Sequence, residues 1–228
     1  MSGAGDMTFD CTVKKNFSFE LSCIITCKGC GAEKTRIEEY NHLSLGLVPQ
    51  GSIKDCLNLF FKDEEEIECR CEICEHSFAS CRREFNTLPR FLVLQLKRFK
   101  LTKDFTLKKQ KDRVQINPKI KLRMPEQSDH AQEDDGKHHD VDADQNEDRK
   151  VEKRTERHEV DQYAGYSLIS ALNHTGSSIY SGHYKCDSFS QQDSVWLSYN
   201  DDLVTIRTEE SVLKKRQKSA YVLVYEMT

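Results

Sequence analysis

The sequence predicts an α+β fold in which most of the structure is antiparallel β-sheet. Segments rich in β-branched and aromatic residues recur from position 16 to position 226, several of them with period-two alternation. Only one segment has a clear helical pattern, and the predicted strands are joined mainly by loops. Together these observations indicate a mostly antiparallel α+β protein.

Three strands are predicted in the N-terminal half of the chain. Residues 16–25 and 36–47 alternate between apolar and polar side chains and contain many residues that favour strands. Residues 91–96, FLVLQL, form an apolar run, which is typical of a strand buried on both faces. These segments predict the first part of the sheet structure.

One short amphipathic helix is predicted between these strands, in SIKDCLNLFFKDEEE, residues 52–66. Ser52 and Asp55 have the spacing of a capping box, with Asp in place of Glu. Apolar residues at helical spacing define the face that would be buried. They are Ile53, Cys56, Leu57 and Phe60.

Four closely spaced strands are predicted in the C-terminal part of the chain. Their alternation and the short loops between them indicate an antiparallel sheet. The segments are 164–174, 183–189, 194–200 and 219–226.

Residues 126–161 separate the two folded parts and differ sharply from them in composition. They contain no aromatic residue and no Leu, Ile or Met, while 14 Asp or Glu stand against six Lys or Arg. Such a segment cannot bury enough apolar area to offset its chain entropy. We therefore predict a disordered acidic insert, in which His138 and His139 belong to a solvated tract rather than to a metal site.

The overall charge and the cysteine content narrow the class of protein. A net charge of -4 gives no basic field, so nucleic acid is not the expected partner. No apolar stretch approaches the roughly 18 residues that would span a bilayer, and the start has no secretory pattern. We expect a soluble protein of the nucleus or cytoplasm, where ten cysteines indicate metal binding or free thiols rather than disulfides.

Two pairs of cysteines have the spacing of a zinc site. Cys27 and Cys30 form one pair and Cys71 and Cys74 the other, each with two intervening residues. Such a pair lets one tight turn direct both sulfurs at one ion, and Zn²⁺ prefers four thiolates in a tetrahedron. The spacing predicts a structural zinc site assembled by tertiary folding. Simple buried thiols are the alternative, and either of two other cysteines could replace a ligand: Cys69 or Cys81.

A histidine and an asparagine near the C-terminus are candidates for catalysis. His183 follows a loop of small polar residues, and Asn200 comes 17 positions later, followed by Asp201. On neighbouring antiparallel strands this interval would let an amide or carboxylate oxygen, from Asn200 or from the adjacent Asp201 or Asp202, accept the hydrogen of His183 Nδ1 and leave Nε2 to take a proton. Spacing alone also fits a loop histidine beside a turn-forming Asn-Asp-Asp.

Several motifs occur in an order that resembles the ubiquitin-specific protease family. They are CKGCG, CEIC, LPRFLVLQLKRF, YSLISALNHTGSSIYSGHY, WLSYNDD and SAYVLVYE. The likeness covers nearly the whole chain outside the insert. The stretches TVKKNFSFEL, SIKDCLNLFF and WLSYNDD are most similar to the subgroup of ubiquitin-specific proteases 26, 29 and 37.

The resemblance implies a partial catalytic domain shaped like an open hand, in which the thumb is absent. It assigns residues 17–88 to zinc-ribbon fingers and residues 89–125 and 162–228 to a palm. Ubiquitin and ubiquitinated proteins are the implied partners, with the Gly-Gly tail of ubiquitin passing between palm and thumb.

The same resemblance implies roles for individual residues. His183 would be the general base, Asn200 would orient it, and Asp201 would be a polar support. Gly176, Gly182 and Tyr184 would border the ubiquitin tail, since glycines permit close approach of the backbone. Cys27, Cys30, Cys71 and Cys74 match the zinc ligands of the fingers. His174 is expected to shape the loop without a catalytic role.

The family's nucleophile lies in a Gly-Asn-Thr-Cys-Tyr box that this sequence does not contain. Cys11 precedes the first cysteine pair, but it is expected before a strand and has no evident base or oxyanion partner. We therefore expect the isolated chain to be inactive. A ubiquitin-binding module without catalysis and a zinc-ribbon nucleic-acid binder are the alternatives, and the acidic stretch DEEEIEC argues against the second.

Overall fold

The structure is a computed structural model that describes residues 11–62, 65–123 and 162–228. The predicted acidic insert, residues 126–161, lies outside the described residues. Three helices are present in the described ranges: α1 Thr12–Phe17, α2 Ile53–Lys62 and α3 Glu209–Lys215. The strands are β1 Phe19–Cys27, β2 Glu33–Tyr40, β3 Leu43–Leu45, β4 Glu65–Glu68, β5 Phe78–Phe85, β6 Phe91–Leu96, β7 Phe99–Leu101, β8 Leu107–Lys109, β9 Lys119–Arg123, β10 Tyr163–Thr175, β11 His183–Ser190, β12 Val195–Asn200, β13 Leu203–Arg207 and β14 Ala220–Met227.

Four strands form a small sheet with the order β2-β1-β5-β4, in which every pair is antiparallel. Its central strand β1 is buried at one end, where Phe19 packs against Tyr40 and Phe85 with ring centroids 5.9 and 5.7 Å apart. Phe61 of α2 packs against Phe85 at a tilted angle, with the ring centroids 4.9 Å apart, and continues this aromatic cluster. The cluster attaches one end of the small sheet to the rest of the protein.

Eight strands form a large sheet with the order β13-β12-β11-β10-β14-β6-β3, and β9 pairs with the remaining part of β10. Neighbouring strands are antiparallel except β3 and β6, which run parallel. Its core contains leucines that are fully shielded from solvent, among them Leu45, Leu94 and Leu223. The predicted fold class, α+β with mostly antiparallel strands, is confirmed.

One of the predicted strands divides where the chain changes sheets. Residues 36–47 form not one strand but two, because the chain bends at Asn41 and His42 and leaves the small sheet for the large one. Leu43 and Leu45 then become completely buried beside β6. Residues 17–88 therefore contribute to both sheets.

The predicted helix at 52–66 is shorter than its pattern indicated. Its start is confirmed, because Ser52 N donates to Asp55 Oδ2 at 2.7 Å and Asp55 N donates to Ser52 Oγ at 3.3 Å. It ends at Lys62, and Glu65–Glu68 form β4 against β5. Carboxylates at the C-terminal end of a helix oppose its dipole, which favours this early end.

The run at 91–96 is buried on one face and half-buried on the other. Leu92, Leu94 and Leu96 are fully shielded, whereas the alternate side chains keep partial exposure. The prediction of burial on both faces is therefore wrong for the second face. The four C-terminal strands are confirmed as β10, β11, β12 and β14.

Candidate active site and metal centre

His183 and Asn200 meet at the ends of two neighbouring strands of the large sheet. His183 begins β11 and Asn200 ends β12, and the two strands are antiparallel with Cys186 opposite Tyr199. The start of one strand therefore lies beside the end of the other. His183 Nε2 and Asn200 Oδ1 are 2.5 Å apart, and 42% of the imidazole side chain is exposed. The structure thus brings together the two residues that the sequence paired.

The ring nitrogen that faces Asn200 is not the one predicted. An amide oxygen can only accept a hydrogen bond, so His183 Nε2 carries the hydrogen and donates it to Asn200 Oδ1. The neutral ring then keeps its lone pair on Nδ1. The assignment of Nδ1 to the orienting bond is wrong, because strand spacing fixes which residues meet and not the rotation of the ring. Nδ1 is the atom that this arrangement leaves as a proton acceptor.

Asp201 lies next to this pair but does not complete a hydrogen-bonded triad. Its Oδ2 is 3.8 Å from His183 Nε2, which is beyond hydrogen-bonding distance. The side chain is 75% exposed, and the backbone has a positive φ of 51° in the turn between β12 and β13. Asp201 can therefore act on His183 only through weak, solvent-screened attraction.

The two predicted loop glycines are required by packing within the loop itself. Gly176 has φ of 140°, a conformation that residues with a Cβ rarely adopt, and a Cβ there would lie 3.0 Å from the Cα of Gly182. A Cβ on Gly182 would collide with the ring of His174 and lie 2.8 Å from Thr175 O. The loop before His183 is therefore closed tightly against β10.

His174, which the sequence left without a catalytic role, is buried beneath this loop. Lys109 Nζ lies 2.9 Å from His174 Nδ1 and donates to His174 O at 2.6 Å. Burial, and then the charge of Lys109, lower the pKa of His174. The half-exposed ring of Tyr184 packs against the His174 ring at a tilted angle, with the ring centroids 4.8 Å apart. His174 is therefore a neutral residue that supports the loop and Tyr184.

The four predicted metal ligands come together at the end of the small sheet. Cys27 ends β1, Cys30 lies in the turn before β2, and Cys71 and Cys74 lie in the turn between β4 and β5. All four Sγ atoms lie within 4.8 Å of one another. The separation is 3.5 Å between Cys27 and Cys74 and 3.7 Å between Cys30 and Cys71.

These separations fit a tetrahedral metal ion. Metal–sulfur bonds of about 2.3 Å in a tetrahedron place sulfurs roughly 3.8 Å apart. Cys69 and Cys81, which the sequence left as alternative ligands, are not part of the cluster. The geometry therefore selects the four cysteines of the two spaced pairs.

Backbone amides around the cluster favour thiolates. Gly29 N donates to Cys27 Sγ at 3.3 Å, and Ile73 N donates to Cys71 Sγ at 3.4 Å. The N–H groups of Cys30 and then Gly29 lower the pKa of Cys27 to about 6. The pKa of Cys74 is raised to about 12 despite the His76 N–H, because Cys30 and Cys27 hydrogen-bond to it. Cys74 would therefore stay a thiol in the absence of a metal, and all four cysteines can be thiolates together only when a cation neutralises them.

None of the ten cysteines, all of which lie in the described ranges, forms a hydrogen bond with His183. Cys11 is the N-cap of α1, so its predicted place before a strand is wrong. Helix α1 and His183 lie near opposite ends of β14. Phe17 of α1 packs on Phe91, which lies beside the Met227 end of β14. His183 lies near the Ala220 end. From Ala220 to Met227 a strand extends about 23 Å, which keeps Cys11 away from His183.

The sequence comparison identifies the chain as a member of a family of hydrolases. The sequence model of the family "Ubiquitin carboxyl-terminal hydrolase" matches residues 4–225. This match covers nearly the whole chain, so the chain belongs to that family.

Curated relatives share a limited part of their length with this chain. Human "Ubiquitin carboxyl-terminal hydrolase 29" is 35% identical over 127 residues, which cover 54% of this chain and 14% of the relative. Mouse "Ubiquitin carboxyl-terminal hydrolase 37" is 43% identical over 97 residues, which cover 40% of this chain and 10% of the relative. Human "Ubiquitin carboxyl-terminal hydrolase 26" is 37% identical over 119 residues, covering 50% and 13%. The predicted subgroup agrees with these relatives.

Solved structures share the fold over almost the entire chain. The SAGA Ubp8/Sgf11/Sus1/Sgf73 DUB module bound to ubiquitin aldehyde aligns with a TM-score of 0.73 and 23% identity, over 98% of this chain and 44% of that one. A separate structure of the Ubp8-Sgf11-Sgf73-Sus1 SAGA DUB module aligns with a TM-score of 0.66 and 20% identity, over 98% and 42%. In the described part of this chain, no helix combines the length and the apolar character that crossing a membrane requires.

Proposed function

We propose that this chain forms the fingers and palm of a cysteine-type deubiquitinase, which hydrolyses peptide or isopeptide bonds at the C-terminal glycine of ubiquitin. Residues 17–88 would supply the fingers, and 89–125 with 162–228 the palm. The observation that carries the proposal is the 2.5 Å hydrogen bond between His183 Nε2 and Asn200 Oδ1, in a chain of the ubiquitin carboxyl-terminal hydrolase family. The shared fold with a DUB module bound to ubiquitin aldehyde supports ubiquitin as the substrate.

The geometry supports His183 as the general base. With Nε2–H donated to Asn200 Oδ1, His183 Nδ1 can take the proton of a nearby thiol. The resulting thiolate attacks the carbonyl carbon of the ubiquitin glycine, and the imidazolium returns the proton to the leaving amine. A water molecule then attacks the thioester, gives its proton to Nδ1, and releases the ubiquitin carboxylate as the thiol is restored. Asn200 keeps the ring in one tautomer throughout.

The nucleophile in this proposal is a cysteine other than the ten in this sequence. No hydrogen bond within the described residues joins His183 to a thiol, and four of the ten cysteines form the metal cluster. We therefore expect the isolated chain to bind ubiquitin without cleaving it. Gly176, Gly182 and Tyr184 would border the ubiquitin tail, because they form the loop and strand beside His183.

Zinc is the metal proposed for the four-cysteine cluster. Four thiolates in a tetrahedral arrangement suit Zn²⁺, which would join the turns at the end of the small sheet without entering the reaction. Ten cysteines without a disulfide suit the reducing nucleus or cytoplasm, which is where we propose that the protein acts.

An electrophilic ubiquitin probe tests the catalytic part of the proposal. The chain alone should bind ubiquitin reversibly and should not be captured covalently. When a family segment that carries the Gly-Asn-Thr-Cys-Tyr box is fused to it or added in trans, the probe should be captured at that cysteine. The variants His183→Ala and Asn200→Ala should slow capture, His183→Ala by about 10²-fold or more.

Two outcomes would refute this proposal. Covalent capture of the chain alone at one of its own cysteines would mean that the nucleophile has been misidentified. Equal capture by the complemented wild type and the complemented His183→Ala variant would remove the assigned base. A His42→Ala variant, which changes an exposed histidine before β3, serves as the matched control.

A further inference from the structure

A cavity lies beside Asn200, on the face of the large sheet that α3 covers. It has a volume of about 160 Å³. Side chains on alternate positions of β11 point to the same face, so His183 shares that face with Lys185 and Asp187. Ser198 and Asn200 line the cavity from β12. The cavity and the proposed catalytic pair are therefore neighbours on one surface.

The charged groups that line this cavity are mostly cations. Lys185 of β11, Arg207 of β13, Lys215 of α3 and Arg216 after α3 all contribute to its wall. Within the described residues, Lys185, Arg207 and Lys215 form no ion pair. Arg207 and Lys215 are exposed at the rim, and Lys185 is half-buried. Three positive charges thus line this cavity, and none of them has an ion-pair partner in the part of the chain that the structure describes.

The single carboxylate in the wall is already neutralised. Asp187 is completely buried, and Arg216 binds it with Nε to Oδ2 at 2.6 Å and Nη2 to Oδ1 at 2.9 Å. Asn173 Nδ2 donates a further hydrogen bond to Asp187 Oδ2 at 2.8 Å. Because Asp187 is occupied by these donors, it does not offset the charge of the other cations.

The neutral groups in the wall add further hydrogen-bond donors. Ser211 and Thr205 supply hydroxyl groups. Asn200 Oδ1 already accepts from His183, which leaves the Nδ2 hydrogens of Asn200 for another acceptor. A wall of ammonium, guanidinium, amide and hydroxyl groups selects an anion that accepts several hydrogen bonds.

We propose that this cavity binds a phosphate group, either as the free ion or as a small phosphomonoester. The cavity volume corresponds to about five water molecules at roughly 30 Å³ each. A phosphate group has five non-hydrogen atoms, one phosphorus and four oxygens, so it fits this volume. A phosphate dianion would neutralise two of the three positive charges of Lys185, Arg207 and Lys215. Its oxygens accept from both arginine and lysine donors around one centre.

A bound phosphate would also act on His183 through the side chain of Asn200. An oxygen that accepts from Asn200 Nδ2 holds the amide in the orientation in which Oδ1 faces His183 Nε2. Occupancy of the cavity would thereby favour the tautomer with its lone pair on Nδ1. This effect on catalysis rests on the proposed function, whereas phosphate binding does not and is measured without ubiquitin.

Isothermal titration of the full chain with inorganic phosphate tests the proposal at about pH 7.5, where phosphate is mainly a dianion. Sodium chloride at matched ionic strength corrects for general screening. The double variant Arg207→Gln with Lys215→Gln should weaken phosphate binding by about tenfold or more, since each lost charged contact is costly. The control Lys214→Gln with Lys218→Gln removes the same charge from exposed positions outside the cavity and should change binding less than about twofold.

A second titration with O-phosphoserine distinguishes the two sources. If phosphoserine binds more tightly than inorganic phosphate, the ligand of the cavity is a phosphomonoester. If inorganic phosphate binds equally or more tightly, the ligand is the free ion. The side-chain amide resonances of Asn200 should shift on binding in the wild type. Absence of saturable binding, equal weakening in the two double variants, or an unmoved Asn200 amide would each overturn the proposal.

Discussion

The two main sheets of this protein are stabilised in different ways. The large sheet has a core of completely buried leucines and a buried tyrosine, Tyr225, that donates to Asn117 O at 2.8 Å. The small sheet is buried near Phe19 and Leu21, but its partner strand β2 is mostly exposed. Its contacts include surface ion pairs such as that between Lys34 of β2 and Glu72 in the turn before β5, and such pairs contribute about 0–1 kcal/mol each.

The comparison indicates that the large sheet depends on apolar burial, whereas the far end of the small sheet would depend on the metal proposed for the cysteine cluster. The cysteine cluster joins the end of β1 to the turn between β4 and β5, and among the described residues neither Cys27 nor its buried neighbour Ala79 belongs to the main apolar core. The large sheet also contains a buried ion pair and a tightly packed loop, which single substitutions can perturb. Four predictions test this difference, ordered by expected effect.

Removing a cluster ligand should have the largest effect, and it should be confined to the small sheet. If the cluster holds zinc as proposed, the variant Cys71→Ser should lose that ion and with it about 10–16 kcal/mol of metal-binding free energy. Metal analysis should give no zinc, and amide hydrogen exchange should accelerate in β1, β2 and β5 but not in β10 or β14.

The matched control for this variant is Cys69→Ser, two residues away and outside the cluster. It should keep one zinc per chain and the exchange pattern of the wild type. If Cys71→Ser still held one equivalent of zinc, or if the exchange of β10 rose together with that of β1, the division between the two sheets would be wrong.

Breaking the buried ion pair should have the next largest effect, and it should act on the large sheet. Replacing Arg216 by Met leaves the completely buried Asp187 without its bidentate partner. The expected loss in the free energy of unfolding is about 3–5 kcal/mol, because a buried charge is left uncompensated. Urea unfolding, followed by tryptophan fluorescence of Trp196, measures it.

Two further variants separate the ion pair from general effects. The double variant Asp187→Leu with Arg216→Met should recover most of the loss, since it removes both buried charges. Arg207→Met changes an exposed arginine on β13 and should cost less than about 0.5 kcal/mol. A double variant that is no more stable than Arg216→Met would contradict the explanation.

The sequence predicts the strands and the cysteine ligands because both depend on short-range patterns. Alternation located β1, β10, β11, β12 and β14, and a two-residue spacing located the two cysteine pairs. The break at Asn41 could not be predicted, because it reflects the transfer of the chain from one sheet to another. The short α1 was also missed, since six residues carry too little periodicity.

The candidate site shows the same limit. The interval between His183 and Asn200 predicted that they meet, but not that Nε2 would face the amide, because ring rotation depends on the surrounding packing. Lys109 is 65 positions from His174 and gave no local signal for their contact. The cavity beside Asn200 joins three strands and a helix, so only the folded chain reveals it.

Adding a methyl group at Gly182 should have a moderate effect on the large sheet. A Cβ there would collide with His174 and lie 2.8 Å from Thr175 O, so the loop or the buried ring must move. The variant Gly182→Ala should lose about 1–3 kcal/mol in thermal or urea unfolding. Gly46→Ala is the control, because a Cβ at Gly46 has open space around it. Similar losses in the two variants would contradict the tight packing assigned to this loop.

The smallest effect should be a dependence of stability on pH that arises from His174. Burial and the charge of Lys109 lower the pKa of His174 in the folded chain, so the unfolded chain binds more protons once the pH falls below about 6.5. The contribution of His174 to stability is therefore complete above that pH. It is lost progressively as the pH falls towards the folded pKa.

The variant His174→Gln isolates this contribution from other acid effects, including proton competition for the zinc thiolates. Glutamine can still accept a hydrogen bond from Lys109, but it does not titrate. The loss of stability between about pH 6.5 and pH 5 should be smaller in this variant than in the wild type, and His42→Gln, at an exposed position, should keep the wild-type slope. Hydrogen exchange should place the difference in β10 and β11 and leave β1 and β2 unchanged, because His174 belongs to the sheet that depends on buried side chains. Identical slopes in all three proteins would show that His174 is not held neutral by its surroundings.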